Sequence, residues 1–411
     1  MTDHPSSDFI KLSPRMELLP PYLFGAINKL KDKKRREGID VIDMAMGNPT
    51  DPTPQPIVDK LCEVVNDPKN HRYSAAAGMH HLRREVAKYY QSNYAVELDP
   101  EHELIATIGS KEGFSHLCLA LLGPGDTALV PTPSYPIHTY AVVLAGGRYV
   151  GIPVRDDQEF LRSIDEHCRS LTPRPKVLFV NYPHNPTSHT VEASFFEDIV
   201  SLAKKHELIV VHDFAYGQVC FDGYKAPSFL ATKGAKDIGV EFTTMSKTFN
   251  MAGWRIGYCA GNSKIVDALA RVKGYYDYGI FQAIQVASII GLRDCGDLSR
   301  EQAQRYEQRR DVLLGGLERI GWTGIESPRA GMFLWARIPE PFQSMGSMEF
   351  ARRLMEDAEV ALAPGLGFGP EGEGWVRIAL IENPQRLQQA VRQIRRAFQK
   401  WPEGQQLSAP A

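Results

Sequence analysis

A single lysine, Lys247, follows a short apolar run at residues 239–243 that reads as a buried strand. In an open α/β sheet, ligands bind beyond the carboxyl ends of the strands, so this lysine stands where reactive groups collect. Partly desolvated and close to a second cation, Arg255, its amine is pushed toward the neutral form that attacks carbonyl groups. Thr244 and Ser246 add hydroxyl donors beside it. Asp213 lies in the apolar stretch 208–216, where an unpaired carboxylate is costly and calls for a partner. Arg377 is the one cation of the apolar strand expected at 375–380, and a planar guanidinium suits bidentate capture of a carboxylate.

A further group could hold an anion. Residues 104–108 read as a strand, Gly109-Ser110-Lys111 as a turn and 112–122 as an apolar helix. The first N–H groups of such a helix lack intrahelical partners and face the positive end of its dipole. The spacing matches neither the dinucleotide fingerprint nor the P-loop. Tyr135 lies in Thr132-Pro133-Ser134-Tyr135-Pro136, where the prolines stiffen a loop that presents the ring as a flat apolar face.

These groups need a scaffold. From Glu103 onward the chain alternates strand and helix patterns, with strands at 127–131 and 177–180, which predicts a largely parallel sheet with crossover helices. Beyond Ile265 the pattern is helical through Leu292, breaks at 294–298 and resumes to Ile320 as a connector. Residues 327–339 then read as a strand of a smaller domain, and 365–369 as a turn. At the other end, residues 1–21 form a Pro-rich arm, followed by a helix at 22–37 whose basic run, 29–36, is expected to be a solvated face. A strand at 41–45 runs into the turn cluster Gly47-Asn48-Pro49-Thr50.

At 411 residues, the chain suits two domains sharing an interface. Hydrophobic residues make up 43% and charged residues 23%, the balance of a soluble globular protein. The 47 basic and 49 acidic side chains leave a net charge of −2, which steers neither nucleic acid nor an anionic membrane toward it. The six cysteines contain no Cys-x-x-Cys pair and read as reduced thiols. With no signal peptide and no run of about 18 apolar residues, a cytoplasmic location is expected.

The stretch Ser246-Lys-Thr-Phe-Asn-Met-Ala-Gly-Trp-Arg-Ile-Gly257 resembles the Schiff-base signature of the pyridoxal-phosphate aminotransferases of fold type I, and the resemblance covers roughly residues 18–398. It implies an α/β fold with a mostly parallel seven-stranded sheet flanked by helices, plus a smaller α+β domain. The corresponding division is 1–45 as arm and part of the small domain, 46–290 as the large domain and 291–411 as the small domain. It implies pyridoxal 5′-phosphate as cofactor and Lys247 as the lysine bonded to it. Gly109, Ser110, Lys111, Thr244, Ser246 and Arg255 would hold the cofactor's phosphate, and Tyr135 would stack on its ring. Asp213 would face the ring nitrogen, with Asn185 and Tyr216 on the ring hydroxylate.

The segment Asn181-Tyr182-Pro183-His184-Asn185-Pro186-Thr187 is similar in its doubled proline spacing to the family's Asn-Pro-x-Asn-Pro-Thr-Gly, but departs from it at Tyr182 and at Ser188, where the family carries glycine. By the same resemblance Tyr73 reaches the partner's phosphate across a homodimer interface, so that active sites are shared. Arg377 would take the substrate α-carboxylate, with Gly47, Asn185 and Tyr22 around the substrate. No metal is implied. The connector 273–281 contains no arginine for a second carboxylate. That stretch, 345–350, 364–369 and 376–383 look most like bacterial alanine (glutamate:pyruvate) transaminases. The expected reaction joins L-alanine and 2-oxoglutarate to pyruvate and glutamate; the alternatives are an LL-diaminopimelate or aspartate/broad-specificity aminotransferase, and then a lyase using the same cofactor.

Overall fold

Strands that are apolar on both faces need a cover on each side, and the alternating helices of this chain supply it. The computed structural model describes residues 10–20 and 23–402. Its strands are β1 (Ile42–Met44), β2 (Leu104–Thr107), β3 (Thr127–Thr132), β4 (Arg148–Pro153), β5 (Val177–Asn181), β6 (Ile209–Asp213), β7 (Gly239–Thr244), β8 (Gly257–Gly261), β9 (Phe333–Arg337), β10 (Val360–Pro364) and β11 (Trp375–Ala379). Seven of them form one sheet in the order β2-β8-β7-β6-β5-β3-β4. All its pairings are parallel except those of β8, which runs antiparallel to both β2 and β7. Along β5, Leu178 and Val180 enter one apolar cluster and Val177 and Phe179 another, so the sheet is buried on both faces.

Register places the chemistry. Asn181 pairs with Asp213, and Asp213 pairs with Phe242, so the carboxyl ends of β5, β6 and β7 finish side by side. The segments leaving those ends carry Asn185, Tyr216 and Lys247.

A second sheet, in the order β1-β10-β11-β9, draws its strands from both sides of the first in sequence. β1 is parallel to β10, and the other pairs are antiparallel. Trp322, Phe342, Phe350 and Phe398 pack beneath it with Leu387 and Ile394 of the helix Pro384–Lys400.

Two expectations are corrected. Gly109-Ser110-Lys111 is not a turn ahead of a helix but the first turn of the helix Gly109–Leu121. The connector is three helices, Ser263–Tyr276, Gln282–Asp294 and Gly296–Arg319. Its main break falls at 277–281, where Tyr278 and Gly279 take positive φ and the Asp277 carboxylate accepts from the Gly279 amide. Apolar periodicity continues across that break, which is why the sequence reads as one helix. The expected gap at 294–298 contracts to Cys295.

Candidate active site

The carboxyl ends of the large sheet open into a cavity of about 720 Å³, closed from the other side by β1, β9, β11 and the segments that follow β1 and β11. Lys247, Ser110, Lys111, Tyr135, Asn185, Asp213, Tyr216, Thr244, Ser246, Arg255, Gly47 and Arg377 all line it. Residues spread over more than three hundred positions of sequence therefore line one cavity.

Lys247 sits in the short helix Met245–Thr248 that begins where β7 ends, with Thr244 as N-cap accepting from the Ser246 amide. Its Nζ donates to the Gly47 carbonyl at 2.5 Å. The enclosing walls desolvate the amine, and Arg377 and then Arg255 repel its charge, while Asp213 opposes them. Together they bring it from 10.5 down to about 7. At neutral pH a large share of this lysine is an uncharged nucleophile.

The anion cradle lies beside it. Arg255, itself in the left-handed region at φ 56°, folds its guanidinium over Gly109, where a Cβ would lie 2.5 Å from Nη2. Gly109 is also at φ 71°, so glycine is required there twice over. The Thr244 hydroxyl bonds Ser246 Oγ at 2.9 Å and the Ile256 carbonyl at 3.1 Å, and Lys111 completes the ring of donors. Hydroxyls, a helix start and two cations fit a phosphate.

Asp213 is buried, and its partner is a residue that sequence reasoning missed. His138, on the helix Pro136–Leu144, places Nε2 at 2.9 Å from Asp213 Oδ2, and its Nδ1 lies 3.3 Å from Ser134 Oγ. The only signal was a lone histidine three residues after Tyr135, in a helix of otherwise mostly apolar residues. Asn185 has its amide N–H on the Asn181 side chain and its Nδ2 3.4 Å from the Tyr216 hydroxyl. Burial pushes the Tyr216 phenol far up, so it stays a neutral donor. His184 next to Asn185 is held neutral, its pKa lowered by burial and then by His189 and His138.

Arg377 is 5% exposed. Its Nη1 donates to Asn185 Oδ1 at 2.8 Å and its Nη2 to the Ala45 carbonyl at 2.9 Å. The guanidinium lies between the rings of Phe333 and Phe368, 4.1 and 4.6 Å from their centroids. Neither phenylalanine carried a signal in the sequence.

At the rim, the expectation of a wholly solvated basic helix fails. Lys31 is 8% exposed and pairs with Asp43 at 2.5 Å, Arg35 lies 4.0 Å from the same carboxylate, and all three line the cavity. The helix Leu23–Arg36 turns this edge toward β1, which periodicity of charge alone does not reveal. Two of the expected residues that are described do not line the cavity: Gly109 lies beneath the Arg255 guanidinium, and Tyr73 is 88% exposed and packs on Tyr278 at 5.5 Å. Tyr22 lies outside the described residues.

Comparison with known proteins agrees with this geometry. The family pattern described as aminotransferase class I and II matches residues 39–394. The chain is 49% identical to the glutamate-pyruvate aminotransferase AlaC of Escherichia coli (strain K12), over 93% of each chain. It is 40% identical to the LL-diaminopimelate aminotransferase of Halothermothrix orenii, covering 93% of this chain and 97% of that one. Among solved structures, a probable N-succinyldiaminopimelate aminotransferase from Thermus thermophilus superposes with a TM-score of 0.84 at 36% identity, over 91% of this chain and all of that one.

Proposed function

The chain belongs to the class I and II aminotransferases, and from that premise we propose that it is a pyridoxal 5′-phosphate enzyme moving an amino group between L-alanine and 2-oxoglutarate, giving pyruvate and glutamate. The observation that carries the cofactor reading is a lysine amine brought down to about 7 in a cavity that also holds a buried acid, Asp213, and an anion cradle. The alanine reading is supported by the 49% identity to a glutamate-pyruvate aminotransferase.

Pyridoxal 5′-phosphate, when bound, supplies an aldehyde carbon and a ring that withdraws electrons from the substrate Cα. Lys247 would hold it covalently, and Ser110, Lys111, Thr244, Ser246 and Arg255, with the helix start at Gly109, would hold its phosphate. Tyr135 offers an apolar ring face, and Asn185 and Tyr216 offer donors to a ring oxygen. Asp213, backed by His138, would hold a proton at the ring nitrogen. Arg377 clamps the substrate carboxylate and so fixes which Cα bond faces Lys247. Lys247 Nζ would take the Cα proton as general base and deliver it, as general acid, to the carbon that the cofactor's aldehyde supplies, a role worth about 10²- to 10⁴-fold in rate.

2-Oxoglutarate brings a second carboxylate, and alanine does not. Lys31 and Arg35 are further cations lining the cavity, and the Lys31–Asp43 pair keeps that charge compensated while a short substrate is bound. The exposed rings of Tyr73 and Tyr278, in contact at 5.5 Å, with Tyr275 and Tyr276 also exposed, suit contact with a second copy of the chain, which supports a homodimer with shared sites. A division into 46–290 as the large domain and 1–45 with 291–411 as the arm and small domain is supported by the two sheets, since β1 joins β9, β10 and β11. Six free cysteines suit a reducing compartment, which supports a cytoplasmic location. Among the described residues no helix is long and apolar enough to cross a membrane.

Purified protein assayed with 2-oxoglutarate and alanine, aspartate or LL-diaminopimelate tests the reading. Alanine is expected to give the highest kcat/KM. Strong activity with LL-diaminopimelate and none with alanine would replace it with the second reading, which the 40% identity to LL-diaminopimelate aminotransferases favours next.

A further inference from the structure

Ser188 closes the loop that carries Asn185, at the position where the family resemblance leads one to expect glycine. It keeps the glycine-like backbone, with φ 58°, and is 4% exposed. A serine in that region is strained relative to glycine, so its side chain must compensate. Its Oγ does so by donating to the Phe333 carbonyl at 2.9 Å, across to the first residue of β9. The facing residue is Gly331, where a Cβ would lie 2.9 Å from the same Oγ. Serine at 188 and glycine at 331 thus fit together as a pair.

What that bond holds is Phe333. Its ring carries the Arg377 guanidinium at 4.1 Å and meets the Tyr216 ring edge-on at 5.6 Å and 72°. It also closes on Gly47, where a Cβ would fall 2.7 Å from the ring. Phe333 pairs with Ala379 and Arg377 with Trp335, so the ring and the cation it supports lie on neighbouring strands. Asn185, at the head of the Ser188 loop, accepts from Arg377 Nη1. Arg377 is therefore gripped from the loop twice, directly by Asn185 and through Phe333 by Ser188.

We propose that Ser188 is a positioning residue for carboxylate capture: its hydroxyl sets the spacing between the Asn185 loop and β9, and through the Phe333 ring it fixes the plane of the Arg377 guanidinium. This rests on the reading that Arg377 binds the substrate carboxylate. A planar, bidentate contact is sensitive to such tilt, whereas cofactor attachment at Lys247 is not.

The test uses Ser188→Ala and Ser188→Gly, which both remove the bond but differ in backbone strain, since glycine accepts positive φ and alanine does not. With the cofactor-loaded enzyme, both variants are expected to raise KM for the amino donor by about 3- to 10-fold, the range of one neutral hydrogen bond, with kcat and the cofactor's absorbance little changed. The glycine variant is expected to keep the wild-type Tm. Adding Phe333→Leu to Ser188→Gly is expected to raise KM no further than Phe333→Leu alone. A KM that rises only in the alanine variant, in step with a lower Tm, would show a purely structural serine and overturn the proposal. So would unchanged KM in both variants while Arg377→Lys raises it. If Arg377→Lys itself leaves KM unchanged, the carboxylate reading fails and the proposal falls with it.

Discussion

His138 Nε2 lies 2.9 Å from Asp213 Oδ2, and both side chains are buried at the base of the cavity. The acid is thus oriented before any ligand arrives, with its Oδ1 3.3 Å from the Ala215 amide.

His138→Phe removes a hydrogen bond to a buried carboxylate and leaves Asp213 short of a partner. A bond of this kind contributes about 1.5 to 3 kcal/mol, so the half-reaction rate should fall by roughly ten- to a hundred-fold, with weaker cofactor retention. Stopped-flow absorbance of the amino-donor half-reaction checks this. A wild-type rate in His138→Phe would remove the histidine from the site.

The Lys247 amine, lowered from 10.5 to about 7, makes a pH prediction. Capture of an aldehyde by the cofactor-free protein should speed up as pH rises through about 7 and level off above it. The same shift means the folded state binds this proton less tightly than the unfolded chain. Stability of the cofactor-free protein should therefore rise with pH between about 7 and 10.5 through this group, and that slope should shrink in Lys247→Met. Capture that keeps climbing toward pH 10 would contradict the desolvated amine.

Lys31→Ala tests the rim. It removes the nearer of two cations on Asp43, one that also faces the cavity. The expected result is a several-fold higher KM for 2-oxoglutarate with KM for alanine held within about twofold, an effect that weakens with added salt. Equal changes for both substrates would place the second carboxylate elsewhere.

The proposed sharing of sites between two protomers makes a mixing prediction. Lys247→Ala and Tyr73→Ala protomers are each expected to be impaired. Reassembled together at equal amounts, they should recover about a quarter of wild-type sites, because half of the dimers pair unlike protomers and each such dimer holds one unaltered site. No recovery on mixing would put both residues in the same subunit's site.

The large sheet was legible because its strands are short apolar runs ending in polar residues, and Asp213 and Lys247 mark two of those ends. The segment at 182–188 was legible as a motif, yet its Ser188 became meaningful only when the fold brought Phe333 to its hydroxyl. His138, Phe333 and Phe368 escaped notice for a common reason: each reads as ordinary core, and its role comes from a contact 75 residues away for His138–Asp213, or from the two sides of a cation on another strand. Lys31 was hidden by its neighbours, one buried cation within a run of exposed or half-buried ones. The break at 277–281 was hidden by aromatic residues that continue the helical pattern.

The central claim is that the amine of Lys247 bonds to pyridoxal 5′-phosphate. Purified protein incubated with the cofactor, reduced with borohydride and digested should yield one major phosphopyridoxyl peptide, carrying the adduct on Lys247. A reduced protein with no adduct there, or with the adduct spread over surface lysines, would contradict the account.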